Sequence, residues 1–583
     1  MSLFVALCCC VSAFAVPAWP GKYTYTQPDG TTIVLQKHGD EFFSWITNEA
    51  GEIVEKDEAG YYRPVPETRI QPRRSAGIRQ RAEADESRRG PAFAPVQGVT
   101  ERHFLVILVE FNDVRFAEGN NAQAFSNLLN QNGYNVNGAT GSAQDYYYEN
   151  SEGKFRPIFD VYGPVTLEKN RVEYGEHVSE DNDKDAAQAI VDGCIGLDDQ
   201  IDFSQYDDNN DGEVDLVFMY YAGKGEADSN EDDSIWPHQW WLEYAKKDLV
   251  LDGKKINGYA CSNEIIGSGS MAGKLCGIGT ACHEFGHAIG LPDLYDTDYD
   301  TNGKAGGLYT FSLMASGAYN NVGRTPPYFN IEERIILGWL EPSAIQEISI
   351  SGNYTLGSVH NNVAYKTPTD MNGEYFLYEC RNNSGWDQYI PEHGLIVYHV
   401  DKSSRQIPIQ KKSQNPPTAE FLWTNWLKYN SINENGSHPC FYVVPAGAES
   451  NLNYGGSKFA FPGKAGRHNF TGKSWNGVSS SVKLSNITYD GTTAKFYAEV
   501  PSPNLDYNVI YNPKNGSYAV GDVFEFTLNP SMAQPYTSVS WFFDDEPVTA
   551  SSVTLSAGTH VVEAHMTMVS GGTKIVELTL EAQ

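Results

Sequence analysis

Residues 282–293 read CHEFGHAIGLPD, and no other stretch constrains the chain as tightly. His283 and His287 are four apart, so on a helix they stand on one face, a turn from each other. Two imidazoles placed that way can hold one Zn²⁺. Glu284 sits beside the first of them, placed to act on water at the metal rather than on the metal itself. Gly290 can leave helical dihedrals and turn the chain back, which brings Asp293 round as the third ligand. Asp296 is the competitor for that role. Three protein ligands leave a fourth position for water, the pattern of a catalytic zinc. A chain with 13 His would carry about 0.02 HExxH matches by chance, so two incidental histidines on a solvent-facing helix is the weaker reading. No Glu lies between Glu284 and Glu332, which disfavours a glutamate on a second helix as third ligand. Cys282 reads as a packing or disulfide residue, not a nucleophile.

Downstream, 311–320 reads FSLMASGAYN. Met314 lies in a turn of small residues, as does the Met-turn that floors the zinc site in metzincins. Tyr319 is a candidate donor to a developing oxyanion, although a packing role is the commoner one for such a tyrosine. Lys255–Ser262 reads as an edge strand to which an extended peptide substrate could add by main-chain hydrogen bonds.

Lys and Arg number 42 against 74 Asp and Glu, a net charge of −32. Such a chain is a poor partner for nucleic acid or an anionic membrane. Its 583 residues exceed one core and imply several domains. Residues 1–18 read as a signal peptide, with the apolar run LFVALCCCVSAFA ending in Ala13-Phe14-Ala15. No later run is apolar enough to span a bilayer, so the expected location is secreted, with periplasmic or cell-surface residence as variants. Residues 19–66 read as a small β propeptide module. Residues 67–99, rich in Arg and lacking apolar periodicity, read as a flexible linker. Its pairs Arg73-Arg74 and Arg88-Arg89 suit a trypsin-like processing protease. Residues 100–345 form the catalytic domain. Continuous apolar runs at His103–Phe111 and Asp215–Ala222 mark buried strands, and helices are expected at 187–194 and 282–290. Short β runs then indicate a β-sandwich accessory domain over 346–500 and an Ig- or PKD-like domain over 501–583. The fold class expected is multidomain α+β, a metzincin-like α/β catalytic domain followed by β-sandwiches. Beyond Cys8, Cys9 and Cys10 six cysteines remain, an even number that permits disulfides in an exported chain.

The stretch 206–215, YDDNNDGEVD, resembles the opening of a calcium loop. Asp207, Asn209, Asp211 and Asp215 offer hard oxygens and Glu213 its carbonyl, but Phe218 stands where an EF-hand has Glu. An acidic surface turn is the competing reading. Asp296, Asp298 and Asp300 form a weaker second candidate for Ca²⁺.

Taken together, these residues resemble the secreted zinc metalloproteases related to immune inhibitor A. The likeness spans roughly residues 20–500. It includes DYYYENSEGKF at 145–155, YDDNNDGEVDLVFMYYAG at 206–223, HEFGHAIGLPDLYD at 283–296, SLMASGAYNN at 312–321 and GWDQYIPEHGLIVYHVD at 385–401. The resemblance implies a zymogen that hydrolyses protein or peptide substrates, with His283, His287 and Asp293 on zinc, Glu284 as base, and Ca²⁺ as a stabilising ion. The leader has no cysteine after Cys10, so latency by a zinc-bound thiol is excluded for the mature proform; Asp40 or His38 is the expected blocking group. Two alternatives remain: a catalytically silent calcium-binding adhesion or glycan-binding protein, and a zinc protease restricted to glycoproteins whose β domains hold the glycan. Intact Glu284 argues against the silent form.

Overall fold

A sheet covered on both faces needs strands that are apolar at every position, and the central strands of this chain meet that demand. In the computed structural model, β1 (Thr100–Glu110), β2 (Phe155–Thr166), β3 (Val217–Lys224), β4 (Gln239–Trp241) and β5 (Gly258–Ile265) form one sheet in the order β2-β1-β3-β5-β4. The first four in that order run parallel, and β4 is antiparallel to β5 at the edge. One face carries Phe104, Val106, Leu108, Phe218, Tyr220 and Ala260, packed with Ala281 and Phe285. The other carries Leu105, Ile107, Val109, Val217, Met219 and Tyr221, packed with Ile190 and Cys194 of the helix Ala186–Gly196.

The structure describes residues 16–87, 100–176, 183, 185–229, 231–298, 307–404, 408–409, 419–420, 430–447, 458–500, 509–511, 518–528, 536–569 and 572–583. Among them the architecture is rich in sheet, with seven α-helices. Residues 1–15 of the signal peptide expected over 1–18, Asp300 and the pair Arg88-Arg89 lie outside the described residues, while Val16, Pro17 and Ala18 lie within them. No helix of the described residues is long and apolar enough to cross a membrane.

Ahead of the central sheet, five short strands from Tyr23 to Pro64 form an antiparallel meander, each paired with the next. The stretch expected to be a flexible linker instead contains a helix, α1 (Gln71–Ser87). Its apolar periodicity is absent because guanidinium groups do much of the packing. Arg74 lies over the rings of Phe43 and Trp45 and pairs with Glu67, while Arg73 pairs with Glu55.

Beyond the central sheet, a five-stranded sheet runs in the order Ile345–Glu347, Ala364–Pro368, Glu374–Arg381, Gly394–Asp401, Phe441–Val443. A three-stranded sheet joins Gly352–Leu356, Ala494–Glu499 and Lys483–Tyr489. The chain divides into two compact units, Met1–Glu499 and Val500–Gln583. The second is built from sheets of three and four strands, with Phe524, Phe526, Val562 and Leu580 in its core.

Candidate metal centre

The helix α2 (Gly279–Ala288) carries the paired histidines. Phe285 anchors its inner face, edge-on to Phe104, Tyr147 and Phe159. Tyr147 adds a hydroxyl bond of 2.6 Å to the Cys282 carbonyl. Gly286 lets Met314 approach, since a Cβ there would lie 2.7 Å from Met314 Sδ. The helix ends where Gly290 takes φ +110, with Leu291 N–H donating back to the Gly286 carbonyl at 3.0 Å.

That turn returns Asp293 to the histidines. Nε2 of His283 and of His287 are 3.1 Å apart, and Asp293 Oδ1 lies 3.4 and 3.3 Å from them. Zinc bonds of about 2.0–2.2 Å at tetrahedral angles separate donors by about 3.4 Å, so this triangle has the dimensions of a zinc face. The tautomers agree. Each Nδ1 sits on a carbonyl, Leu313 O at 2.8 Å for His283 and Leu291 O at 2.9 Å for His287, which leaves both Nε2 lone pairs turned inward. All three of these side chains and Glu284 are buried. Among the described residues this is the one group of three such side chains gathered closely enough to hold a metal ion. Two neutral imidazoles and a carboxylate are the donors zinc takes in catalytic sites.

Residues 93–330 match the family described as immune inhibitor A peptidase M6, catalytic domain. That stretch is similar to an immune inhibitor A peptidase domain. Immune inhibitor A of Bacillus thuringiensis subsp. alesti is 28% identical over 215 residues, which is 33% of this chain and 31% of that protein. The pre-pro-metalloprotease PrtV of Vibrio cholerae is 28% identical over 229 residues, 34% of this chain and 24% of that protein. The chain therefore aligns with under a third of the length of either relative. The crystal structure of wild-type OgpA from Akkermansia muciniphila aligns over 84% of this chain and 94% of its own, with 9% identity and a TM-score of 0.23.

The segment from Val16 to Trp19 reaches the centre of this site. Backbone N–H of Val16 donates to Glu284 Oε1 at 2.8 Å, Trp236 Nε1 donates to the Val16 carbonyl at 2.9 Å, and the Tyr319 hydroxyl donates to the Pro17 carbonyl at 2.7 Å. Trp19 N–H continues the run onto the Ala227 carbonyl at 2.9 Å. Burial pushes the Glu284 carboxyl well above the usual carboxylate range, and the Val16 N–H pulls in the opposite direction. The expected blocking groups take other roles. His38 stacks on Trp45 and bonds Thr47, while Asp40 pairs with Arg81 of α1. Arg81 in turn reaches Asp293 Oδ2 at 2.7 Å.

The stretch expected to be an edge strand is internal in part: Tyr259 and Ala260 of β5 are paired on both sides, and beside them the edge belongs to β4, whose three residues are too few to read as a strand. The leader segment runs against the 227–236 loop instead. The carboxylates of the stretch read as a calcium-loop candidate do not gather into a group of three close enough to hold an ion. Asp207 is ion-paired to Lys254 at 2.6 Å and accepts from Gly212 N–H, and Asp211 bonds Asn209 and Glu213 N–H. Asp215 faces Arg102 at 3.8 Å. Asp298 N–H donates to Asp296 Oδ1. Asp296 does not join the ligand triangle, which Asp293 completes. Cys194, Cys261, Cys276, Cys282, Cys380 and Cys440 are free, so the even count forms no disulfide among the described residues. Sequence reasoning missed Val16, Arg81, Trp236 and Asn430; each acts through a contact more than 130 residues away in the chain.

Proposed function

We propose that the chain is an exported zinc endopeptidase made as a proenzyme, with His283, His287 and Asp293 as metal ligands and Glu284 as general base. The observation that carries this is the buried triangle of two inward Nε2 atoms and one carboxylate oxygen, next to a glutamate in the following helical position. Zinc held there would supply a polarised scissile carbonyl and a water of lowered pKa. Glu284 then accepts the proton of the attacking water and returns it to the leaving amine. Its buried position, which raises the carboxyl pKa, suits a group that acts first as base and then as acid. Tyr319, whose hydroxyl already donates to a main-chain carbonyl of the leader, is positioned to donate to a substrate carbonyl in the same way.

The leader contacts support the proenzyme reading. With export cleavage directly after Ala13-Phe14-Ala15, Val16 and Pro17 stay on the proform, where they satisfy Glu284, Trp236 and Tyr319 with main-chain groups, the groups a peptide substrate would also offer. Processing between α1 and β1, within residues 88–99, would free them. The metzincin-like class, the β-sandwich assignment of residues 346–500, a structural Ca²⁺ and glycan binding by the β domains belong to this reading as expectations. Casein cleavage and metal content, measured on the trimmed chain with and without a chelator, test it. Activity that returns with Zn²⁺ and is absent in Glu284→Ala supports it; a trimmed chain that binds zinc and cleaves neither casein nor mucin favours the silent alternative.

A further inference from the structure

The third ligand is gripped by a residue outside the matched peptidase domain. Asn430 is fully buried, 137 residues beyond Asp293. Its Oδ1 accepts the Asp293 backbone N–H at 2.6 Å, and its Nδ2 donates to Asp293 Oδ2 at 2.6 Å. One amide thus fixes both the backbone and the carboxylate of the ligand. With Oδ2 engaged, Oδ1 is the oxygen turned to the imidazoles. Asn430 takes φ +51, a left-handed conformation that Asn adopts more readily than most residues.

The clasp is anchored. Asn433 donates to the Leu294 carbonyl at 3.3 Å and accepts from Phe441 N–H at 3.1 Å, where the strand Phe441–Val443 joins the five-stranded sheet. Val443 N–H reaches the Gly307 carbonyl at 3.1 Å. From the opposite side, Leu294 N–H donates to the Met314 carbonyl at 2.8 Å. The ligand loop is therefore held between the Met-turn and the 430–443 stretch.

We propose that Asn430 is the positioning residue for the ligand Asp293, so that the sheet region after residue 345 completes the metal site. The inference rests on the zinc-peptidase reading. Arg81 shares Oδ2 with Asn430, but Arg81 belongs to the leader. Once the leader departs, the amide is the remaining side-chain donor to Oδ2 among the described residues. Partners that orient a metal ligand commonly set affinity by about 10–100-fold.

The test is zinc affinity, by competition with a chromophoric chelator at pH 7.5, on the full chain carrying Arg81→Ala, alone and combined with Asn430→Ala or Asn430→Asp. Asn430→Asp keeps the acceptor for the Asp293 N–H, and so the loop anchor, but sets an oxygen against the ligand carboxylate. Both double variants are expected to bind zinc about 10–100-fold more weakly than Arg81→Ala, with an unchanged circular dichroism spectrum. With Arg81 intact, the loss from Asn430→Ala is expected to be smaller. Should Asn430→Ala fail to fold, Asn430→Asp carries the test alone. Affinity in Asn430→Asp equal to that of Arg81→Ala overturns the proposal and leaves Asn430 as a loop anchor. An unsubstituted chain that takes up no zinc sinks the peptidase reading beneath it.

Discussion

Val16 and Glu284 stand 268 residues apart in the chain and 2.8 Å apart in space, N–H to carboxylate oxygen. The group assigned as base is therefore committed to the leader before any substrate arrives. If the leader leaves the cleft about 1% of the time, cleavage runs about 100-fold slower than in the trimmed chain. The expected outcome is that a fluorogenic peptide is cleaved at least that much more slowly by the intact chain than by protein trimmed within residues 88–99. Trp236→Phe, which deletes one donor to the leader, is expected to narrow the gap. Equal rates before and after trimming would remove the leader from any role in latency.

Glu284→Gln separates metal binding from proton transfer. The substitution keeps the shape of the side chain and leaves His283, His287 and Asp293 untouched. Zinc content is expected to stay at the level of the unsubstituted chain while kcat falls by about 10²–10⁴-fold, the range assigned to a general base. Elemental analysis and peptide kinetics on the same trimmed sample check both halves. Activity within threefold of the parent would show that another group moves the proton.

The start of the zinc helix has no room for a methyl group. A Cβ on Gly279 would fall 1.8 Å from the Ala318 carbonyl oxygen, and Gly279 N–H already donates to Gly323 at 2.7 Å. Because the obstacle is backbone, it cannot rotate away. Gly279→Ala is expected to destabilise the chain by about 1–3 kcal/mol or more, read as a lower denaturation midpoint. Gly352, which has nothing within 4 Å of its added Cβ, serves as control: Gly352→Ala should stay within about 0.5 kcal/mol.

What the sequence revealed and what it hid follow from the range of the interactions. The cluster was legible because His283, His287 and Asp293 are set by one helix and the turn after it, and local geometry is written in spacing. The strands β1 and β3 were legible because burial on both faces leaves an unbroken apolar run. Helix α1 was not, since Arg73, Arg74 and Arg81 hold it by charge and by ring faces, and its sequence shows no apolar stripe. Asn430 gave no local signal either: its partner is 137 residues away, and an asparagine in a loop is ordinarily only a turn residue.

Linked to Met314 through Ser312 lies a carboxyl that ties stability to pH. Glu333 is fully buried, accepting from Ser312 Oγ at 2.6 Å and from Asn330 N–H at 2.8 Å, while Ser312 Oγ also accepts from Met314 N–H. Burial pushes its pKa up to about 7, against smaller downward pulls from Ser312, Asn330 and Arg381. In the unfolded chain a glutamate loses its proton near about 4.3. Between roughly pH 4.3 and 7 the folded form thus holds the extra proton, and stability contributed by this group falls as pH rises through that window. Below the window both forms are protonated and the group adds no slope; above it the full cost, on the order of 3 kcal/mol, is in place. Glu333→Gln mimics the protonated carboxyl at every pH. The difference in unfolding free energy, parent minus variant, is therefore expected to drop by that order between pH 4.5 and 7.5 in parallel denaturant titrations. A difference that stays flat, or grows with pH, would mean that Ser312 and Asn330 hold Glu333 ionised in the fold.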